Sequence, residues 1–439
     1  MNERTERYAR ALGEMIRRET VSGGENPSEE KFHAFRELLK SLFPALFAGG
    51  AYREFAHGFT LRWGGRDSSL PPALFLNHHD VVEAGGDWRY PPFSGATAEG
   101  KLWGRGTLDD KGGLWAMLQA AEELSAEGFR PARDVWFASA STEESTGEGA
   151  DEIARWFEDQ GIRFLMCLDE GGFIIQEPIS GAKGWFAMIG VGEKGCADLR
   201  FTARSRGGHA STPERNTPLV RLGKFMAEAD TQRIFPARMH PAVLEMLRCL
   251  APHIDGVEGR LLAEPQRHRV LLTRTLGSMS PRAAALLRTT MAFTMARGSD
   301  GTNVIPSEAW VVANMRYSHH QGQAGSFEAA RKLAAKYDLE MEVLDPGNPS
   351  RVADYRGEGY LRVRRAVESV FPQVAPVPYL MTGASDSRFF DRVCDQCIRF
   401  LPFAVSDDQT ASIHGVNENV DLDSLAPAVD FYRTMMKEL

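Results

Sequence analysis

Long apolar runs are missing from this sequence. No stretch of about 20 apolar residues is available to span a bilayer, and the opening MNERTERYARALGEMIRRET is charged and amphipathic, without the apolar centre of a secretory leader. These absences set the expectation of a protein with no membrane partner and a cytoplasmic location. Concentrated positive charge is missing too. The formal charge is -8 and no block of Lys and Arg appears, whereas a nucleic-acid surface needs such a block to neutralise phosphates, so no nucleic-acid partner is expected. Cysteine is scarce: the five residues Cys167, Cys196, Cys249, Cys394 and Cys397 are odd in number and scattered, which is no disulfide framework. Cys394 and Cys397 make one Cys-x-x-Cys pair, but a thiolate zinc site would need a second pair nearby, so they read as ordinary structural cysteines.

What is present is an ordinary globular composition, with 43% hydrophobic and 25% charged residues. At 439 residues the chain exceeds a usual single core, which points to two domains. Two helices are expected before residue 46, the second over 29–42 with Ser28 as its cap, and a strand over 52–63. From there strands near 73–80, 135–140 and 164–168 alternate with helices over 112–124 and 150–160, the rhythm of a mostly parallel sheet with helices on both faces. After Gly171 that rhythm stops. Strands at 187–191, 197–203, 309–317 and 339–344, with helices at 218–228, 240–249, 281–291 and 325–337, suggest a separate α+β unit over 193–345 inserted into the first. A helix over 359–370, a strand-like IRFLPFAV and a final amphipathic helix over 422–436 return to the first domain. The expected fold is therefore α/β, with residues 1–192 and 346–439 forming one domain around an inserted lid.

Chemistry collects where the strands end. The run ALFLNHHDVV ends in His78, His79 and Asp80; GKLWGRGTLDDKGG ends in Asp109 and Asp110. STEE places Glu143 and Glu144 after the strand DVWFASAS, and Asp169 and Glu170 follow FLMCL. In an α/β sheet ligands gather beyond the strand C-termini, and imidazole plus carboxylate is a metal-binding combination. His414 lies far along the chain, but an insertion at 193–345 would let it reach the same cluster.

The blocks NHHDVV, GRGTLDDKGG, STEE, LDEGG, GGHAS, NVIP, GASDSR and SIHGVNE stand in this order along the chain. In that order they resemble the M20 metallopeptidases, a family that includes aminoacylase-1, carnosinases, carboxypeptidase G2 and succinyl-diaminopimelate desuccinylase. HHDVV and DEGG look most similar to the Gly-Xaa carboxypeptidases and N-acyl amino acid hydrolases within it. The resemblance implies a zinc-peptidase-like catalytic domain with a lid that serves dimerisation, and two divalent metal ions, Zn2+ first, with Co2+ or Mn2+ also fitting the ligands. It implies His78, Asp109, Glu144, Glu170 and His414 as metal ligands, with Asp109 bridging and Asp169 as the alternative to Glu170. Asp80 would hold the ring of His78, and Glu143 would be the general base. His209, often acting in the partner subunit's site, would stabilise an oxyanion. Asn303, Arg316 and Arg388 would bind substrate.

The activity so implied is hydrolysis of an amide bond next to a C-terminal amino acid, in dipeptides or N-acyl amino acids, by a homodimer. The alternative is deacylation or desuccinylation of an acylated diamino acid, or a carbamoyl substrate. A silent scaffold would be expected to lack Glu143 or a ligand, and neither is lacking. GRG at 104–106 has not the spacing of a dinucleotide fingerprint.

Overall fold

The computed structural model describes residues 2–23, 29–231, 234–279 and 281–439. The expected cap at Ser28 and most of the turn before it lie outside these residues. The helix they were to introduce runs Glu29–Leu42.

A nine-stranded sheet organises the larger part of the chain, in the order Gly50–Phe55, Gly58–Trp63, Val135–Ala140, Ala73–His78, Met166–Asp169, Cys397–Arg399, Trp185–Glu193 and Val374–Met381, with Ile174–Gln176 beside Trp185–Glu193. The pairings from Val135–Ala140 through Cys397–Arg399 are all parallel, so four neighbouring strands finish at one end. Alternation along these strands feeds two cores. Ala73, Phe75, Val135 and Phe137 pack with helices Glu3–Arg17, Lys111–Ala126 and Leu422–Lys437, while Leu74, Leu76, Trp136 and Ala138 pack with Glu148–Asp159 and Phe389–Phe390. Because both faces are covered, these strands run apolar up to their last two residues rather than alternating with polar ones.

A second, four-stranded sheet has the order Thr290–Arg297, Glu308–Tyr317, Gly195–Arg204 and Glu340–Asp345, all antiparallel. Helices Pro218–Asp230 and Gly322–Lys336 cover one face and complete a separate core around Leu199, Phe201, Phe225 and Met315. This is the inserted, β-rich, lid-like unit. The helices between its strands behave differently: Val243, Leu247, Leu250, Leu262 and Leu272 bury themselves in the larger core, with Pro241–Leu250 lying on Val374–Met381. The chain's insertion and its packing units thus do not share all their boundaries.

Three local expectations are corrected, and one strand had no expectation at all. The strand over 52–63 is a hairpin of two strands. The helix expected over 281–291 stops at Leu287, and Thr290–Arg297 is a strand, because an edge position in a lid sheet offers pairing that the helical spacing of Ala and Leu does not reveal. IRFLPFAV is strand only through Arg399, before Pro402. Val374–Met381 carries Pro376 and Pro378 yet pairs with Trp185–Glu193. It tolerates them as a terminal strand of its sheet, where one side of the backbone needs no donor.

Candidate metal centre

His78 is the last residue of its strand, and its Nε2 lies 3.0 Å from Asp109 Oδ1 and 3.8 Å from Glu170 Oε1. Its Nδ1 lies 3.1 Å from the backbone carbonyl of Asp80 and 3.3 Å from Asp80 Oδ1. On the other side of Asp109, His414 Nε2 approaches Asp109 Oδ2 at 2.9 Å and Glu144 Oε2 at 3.0 Å. Two groups therefore can each hold a metal ion, His78–Asp109–Glu170 and Asp109–Glu144–His414, and Asp109 belongs to both.

The backbone presents these side chains by identifiable devices. Asp109 sits in the loop before helix Lys111–Ala126, across a cis peptide to Asp110. Gly106 in that loop has a φ of +90°, which admits glycine far better than other residues. At Gly113 a Cβ would stand 2.4 Å from Asp110 Oδ1 and 2.5 Å from Leu401, so only glycine lets the helix start so close to the site. The buried carboxylate of Glu418 accepts the amides of Gly106 (3.0 Å), Leu108 (2.8 Å) and Asp109 (3.2 Å), and the Arg105 guanidinium at 2.7 Å. Arg105 also donates to Gly415 O at 2.6 Å, which ties the Asp109 loop to the loop of His414, itself at a φ of +60°. The amides of Glu143 and Glu144 donate to the two oxygens of Asp80, at 3.2 and 3.1 Å. Asp80 thus holds the turn that points these two glutamates in different directions, beyond the part expected of it beside His78.

Burial raises Glu143 and Glu170 well above the usual carboxylate range, and the neighbouring carboxylates add to it. Burial raises Glu144 as well. His414 is pushed up to about 10 by its contacts with Asp109 and Glu144. Burial opposes ionisation of Asp109, but the hydrogen bonds from His414 and His78 outweigh it and hold the group below its ordinary range. Glu144 Oε1 is buried without a hydrogen-bond partner. Crowded carboxylates, two imidazoles and an orphaned oxygen are the donor set a pair of cations would satisfy.

Of the remaining expected residues, Arg388 lies 3.9 Å from Glu143 Oε1 and donates to Ser385 O at 2.8 Å. Asp169 is not in either group; its Oδ2 accepts the amide of Ser387 at 2.7 Å. His79 turns away, stacked on Phe35 and bonded to Ser139 at 2.8 Å. Asp110 is bonded to Asn77 behind the site. His209 and Asn303 stand apart on an exposed ribbon in which His209 pairs with Val304 and Asn303 O accepts the amide of Ala210. The ring of His209 bonds to Ser211, at 2.8 Å, and not to the cluster. Arg316 is on the lid sheet, bonded to Asn314 at 3.1 Å. Sequence reasoning missed Arg105, Glu418 and Asp386. All three lie inside the matched blocks, and Asp386 is fully buried with both carboxylate oxygens unpartnered, pushed up to about 8 by that burial.

Residues 74–438 match the model of Peptidase family M20/M25/M40. The chain is 31% identical over 406 residues to human N-fatty-acyl-amino acid synthase/hydrolase PM20D1, covering 90% of this chain and 80% of that protein. It is 29% identical over 443 residues to a probable carboxypeptidase S-like 2 of Dictyostelium discoideum, covering 98% and 84%. In structure it is similar to the M20 family metallo-carboxypeptidase Sso-CP2 from Sulfolobus solfataricus, with a TM-score of 0.72 at 16% identity, covering 100% of this chain and 99% of that one. The chain belongs to the M20/M25/M40 peptidase family. Its chemistry is that family's metal-dependent hydrolysis of an amide near a terminal amino acid.

Proposed function

We propose that the substrates are N-acyl amino acids or dipeptides, cut at the amide next to the C-terminal residue. The observation that carries this reading is the placement of Arg388, whose guanidinium comes within 3.9 Å of Glu143 beside the two metal groups. A planar cationic fork at that distance from the base suits the carboxylate of an amino-acid leaving group. Kinship to PM20D1 and to a carboxypeptidase S-like protein supports both substrate types and the N-acyl amino acid and carboxypeptidase branch of the family.

In this reading His78, Asp109 and Glu170 hold one divalent cation and Asp109, Glu144 and His414 the other, Asp109 being shared. Zn2+ suits these nitrogen and oxygen donors first, with Co2+ or Mn2+ next; bound there, the cations supply Lewis acidity and an acidified water. Glu143 takes that water's proton and afterwards delivers it to the departing nitrogen. His209 donates to the oxyanion, and Asn303 and Arg316 contact substrate from the lid. Since the His209 ribbon is exposed and bonded only locally, this part is assigned to the partner subunit of a homodimer. The five free cysteines suit a reducing, cytoplasmic setting.

The test is a panel of dipeptides and of N-acetyl, N-long-chain-acyl and N-succinyl amino acids, given to metal-reconstituted protein with Glu143→Gln as control. Turnover of N-acyl amino acids or dipeptides that vanishes in the variant supports the reading. Turnover of the N-succinyl members alone overturns the substrate assignment.

A further inference from the structure

Arg399 is fully buried, and the mechanism above does not use it. It ends the strand Cys397–Arg399, between Met166–Asp169 and Trp185–Glu193, with Asp169 and Gly190 as its register partners. Its guanidinium spends every nitrogen. Nε donates to Glu193 Oε2 at 3.0 Å and to Ser385 Oγ at 3.3 Å, Nη1 to Cys397 O at 2.9 Å, and Nη2 to Ser350 Oγ at 2.9 Å.

Cys397 is on its own strand, and the other three partners lie on three separate stretches of chain. Glu193 is the last residue before the chain crosses to the lid sheet, which begins at Gly195. Ser350 lies on the return crossing, just before the amide of Ala353 rejoins Val191 O at 2.7 Å. Ser385 stands just before the short helix Ser387–Phe390 that carries Arg388. Its hydroxyl donates to Glu193 at 2.9 Å, while its carbonyl accepts from Arg388 Nη1 at 2.8 Å. Two residues further, the amide of Ser387 donates to Asp169, the neighbour of Glu170. The link from Arg399 to Arg388 thus runs through a single residue, Ser385.

A buried ion pair is seldom retained for stability, because desolvation offsets its attraction; its best-attested use is to fix register. Only a planar fork can address three segments at once, and a lysine ammonium would reach fewer of them. We propose that Arg399, with Glu193, is a positioning residue that sets Arg388 against Glu143 and fixes both to the two lid crossings, so that substrate-carboxylate recognition depends on it. This inference rests on the carboxylate role proposed for Arg388.

The experiment compares the best N-acyl amino acid of the panel with its C-terminal carboxamide, by kcat and KM, in the metal-loaded wild type, Arg399→Lys, Ser350→Ala and Arg388→Ala. Arg399→Lys is expected to lower the acid-over-amide preference in kcat/KM about tenfold, chiefly through KM, with two metal equivalents retained. Ser350→Ala, which removes one neutral partner, is expected to lower it about threefold. A merely structural defect would reduce the active fraction for both substrates alike and leave the preference unchanged. A preference within about twofold of wild type in Ser350→Ala and in any folded Arg399→Lys overturns the proposal, and Ser350→Ala decides alone if the lysine variant does not fold. If Arg388→Ala keeps the full preference, the carboxylate role of Arg388 has failed and the inference falls with it; if only Arg388→Ala loses it, the inference alone has failed.

Discussion

Asp80→Asn separates two jobs that the family resemblance merges into one. As a partner of the His78 ring, Asp80 would matter through metal affinity, and losing such a partner typically weakens binding about 10- to 100-fold. The structure gives the ring a second acceptor, however: His78 Nδ1 is nearer to the carbonyl of residue 80, at 3.1 Å, than to the carboxylate, at 3.3 Å. That carbonyl survives the substitution, so metal affinity on the His78 side should fall by less than about tenfold. The turn of Glu143 and Glu144 has no such reserve, because each amide donates to its own Asp80 oxygen. An asparagine leaves one acceptor and turns an amino group toward the other amide. One charge-assisted hydrogen bond is lost, about 1.5–3 kcal/mol, and kcat should fall roughly 10- to 100-fold through misplacement of Glu143. The assay is metal titration by calorimetry, followed by kcat on the best substrate at saturating metal. Recovery of kcat to within about twofold of wild type at saturation would refute the reasoning, since Asp80 would then act through the metal alone.

Asp109→Asn should abolish binding of both cations, whereas His414→Ala should leave one equivalent, measured by elemental analysis after dialysis, because only Asp109 belongs to both groups. Mixing inactive Glu143→Gln with inactive His209→Ala should restore about a quarter of the wild-type activity if subunits exchange, since half the dimers would then be mixed and each would hold one complete site; no recovery despite demonstrated exchange would place His209 in its own subunit's chemistry. Burial pushes His319 down to about 4, so as pH falls below its unfolded value near 6.5 the unfolded chain takes up a proton first, and stability that is full above 6.5 is lost toward 4. His319→Gln should therefore lose about 2 kcal/mol less than wild type between pH 7.5 and pH 5 in urea unfolding.

What could be read from the sequence was whatever local pattern or spacing encodes. The mainly apolar strands at 73–78 and 135–140 announce a sheet covered on both faces, and the polar residues at and just beyond their ends announce a site; the structure puts His78, Asp109, Glu144, Glu170 and His414 together. The choice between Asp169 and Glu170 was open because adjacent acids at a strand end differ only in which way each points. In the structure Asp169 is the last strand residue and accepts the amide of Ser387, while Glu170 falls beyond the strand and stands with His78 and Asp109. Thr290–Arg297 and Val374–Met381 were illegible for a different reason. Both lie at the end of a sheet's strand order, one with a helix-like run before it and one carrying two prolines, and their strand state follows from a neighbour rather than from their own residues.

The same reasoning explains why buried charges were the hardest residues to assign. Glu418, Arg105, Glu193 and Arg399 are all nearly inaccessible, yet in sequence a Glu or Arg defaults to the surface, where most of them lie. Two of them are fully served by partners already in place: Glu418 receives three backbone amides and a guanidinium, and Arg399 donates from all its nitrogens, whereas Arg105 Nε and Glu193 Oε1 are buried without a hydrogen-bond partner. Such pairs join segments far apart in the chain, Arg105 to Glu418 and Glu193 to Arg399, so no window of local sequence contains both partners. They mark the joints where the metal loop meets the His414 loop and where the lid crossings meet the segment that leads into the Arg388 helix. In this chain the two fully buried ion pairs lie at those joints, and removing one partner of either would leave an uncompensated buried charge, a loss of about 3–5 kcal/mol of stability.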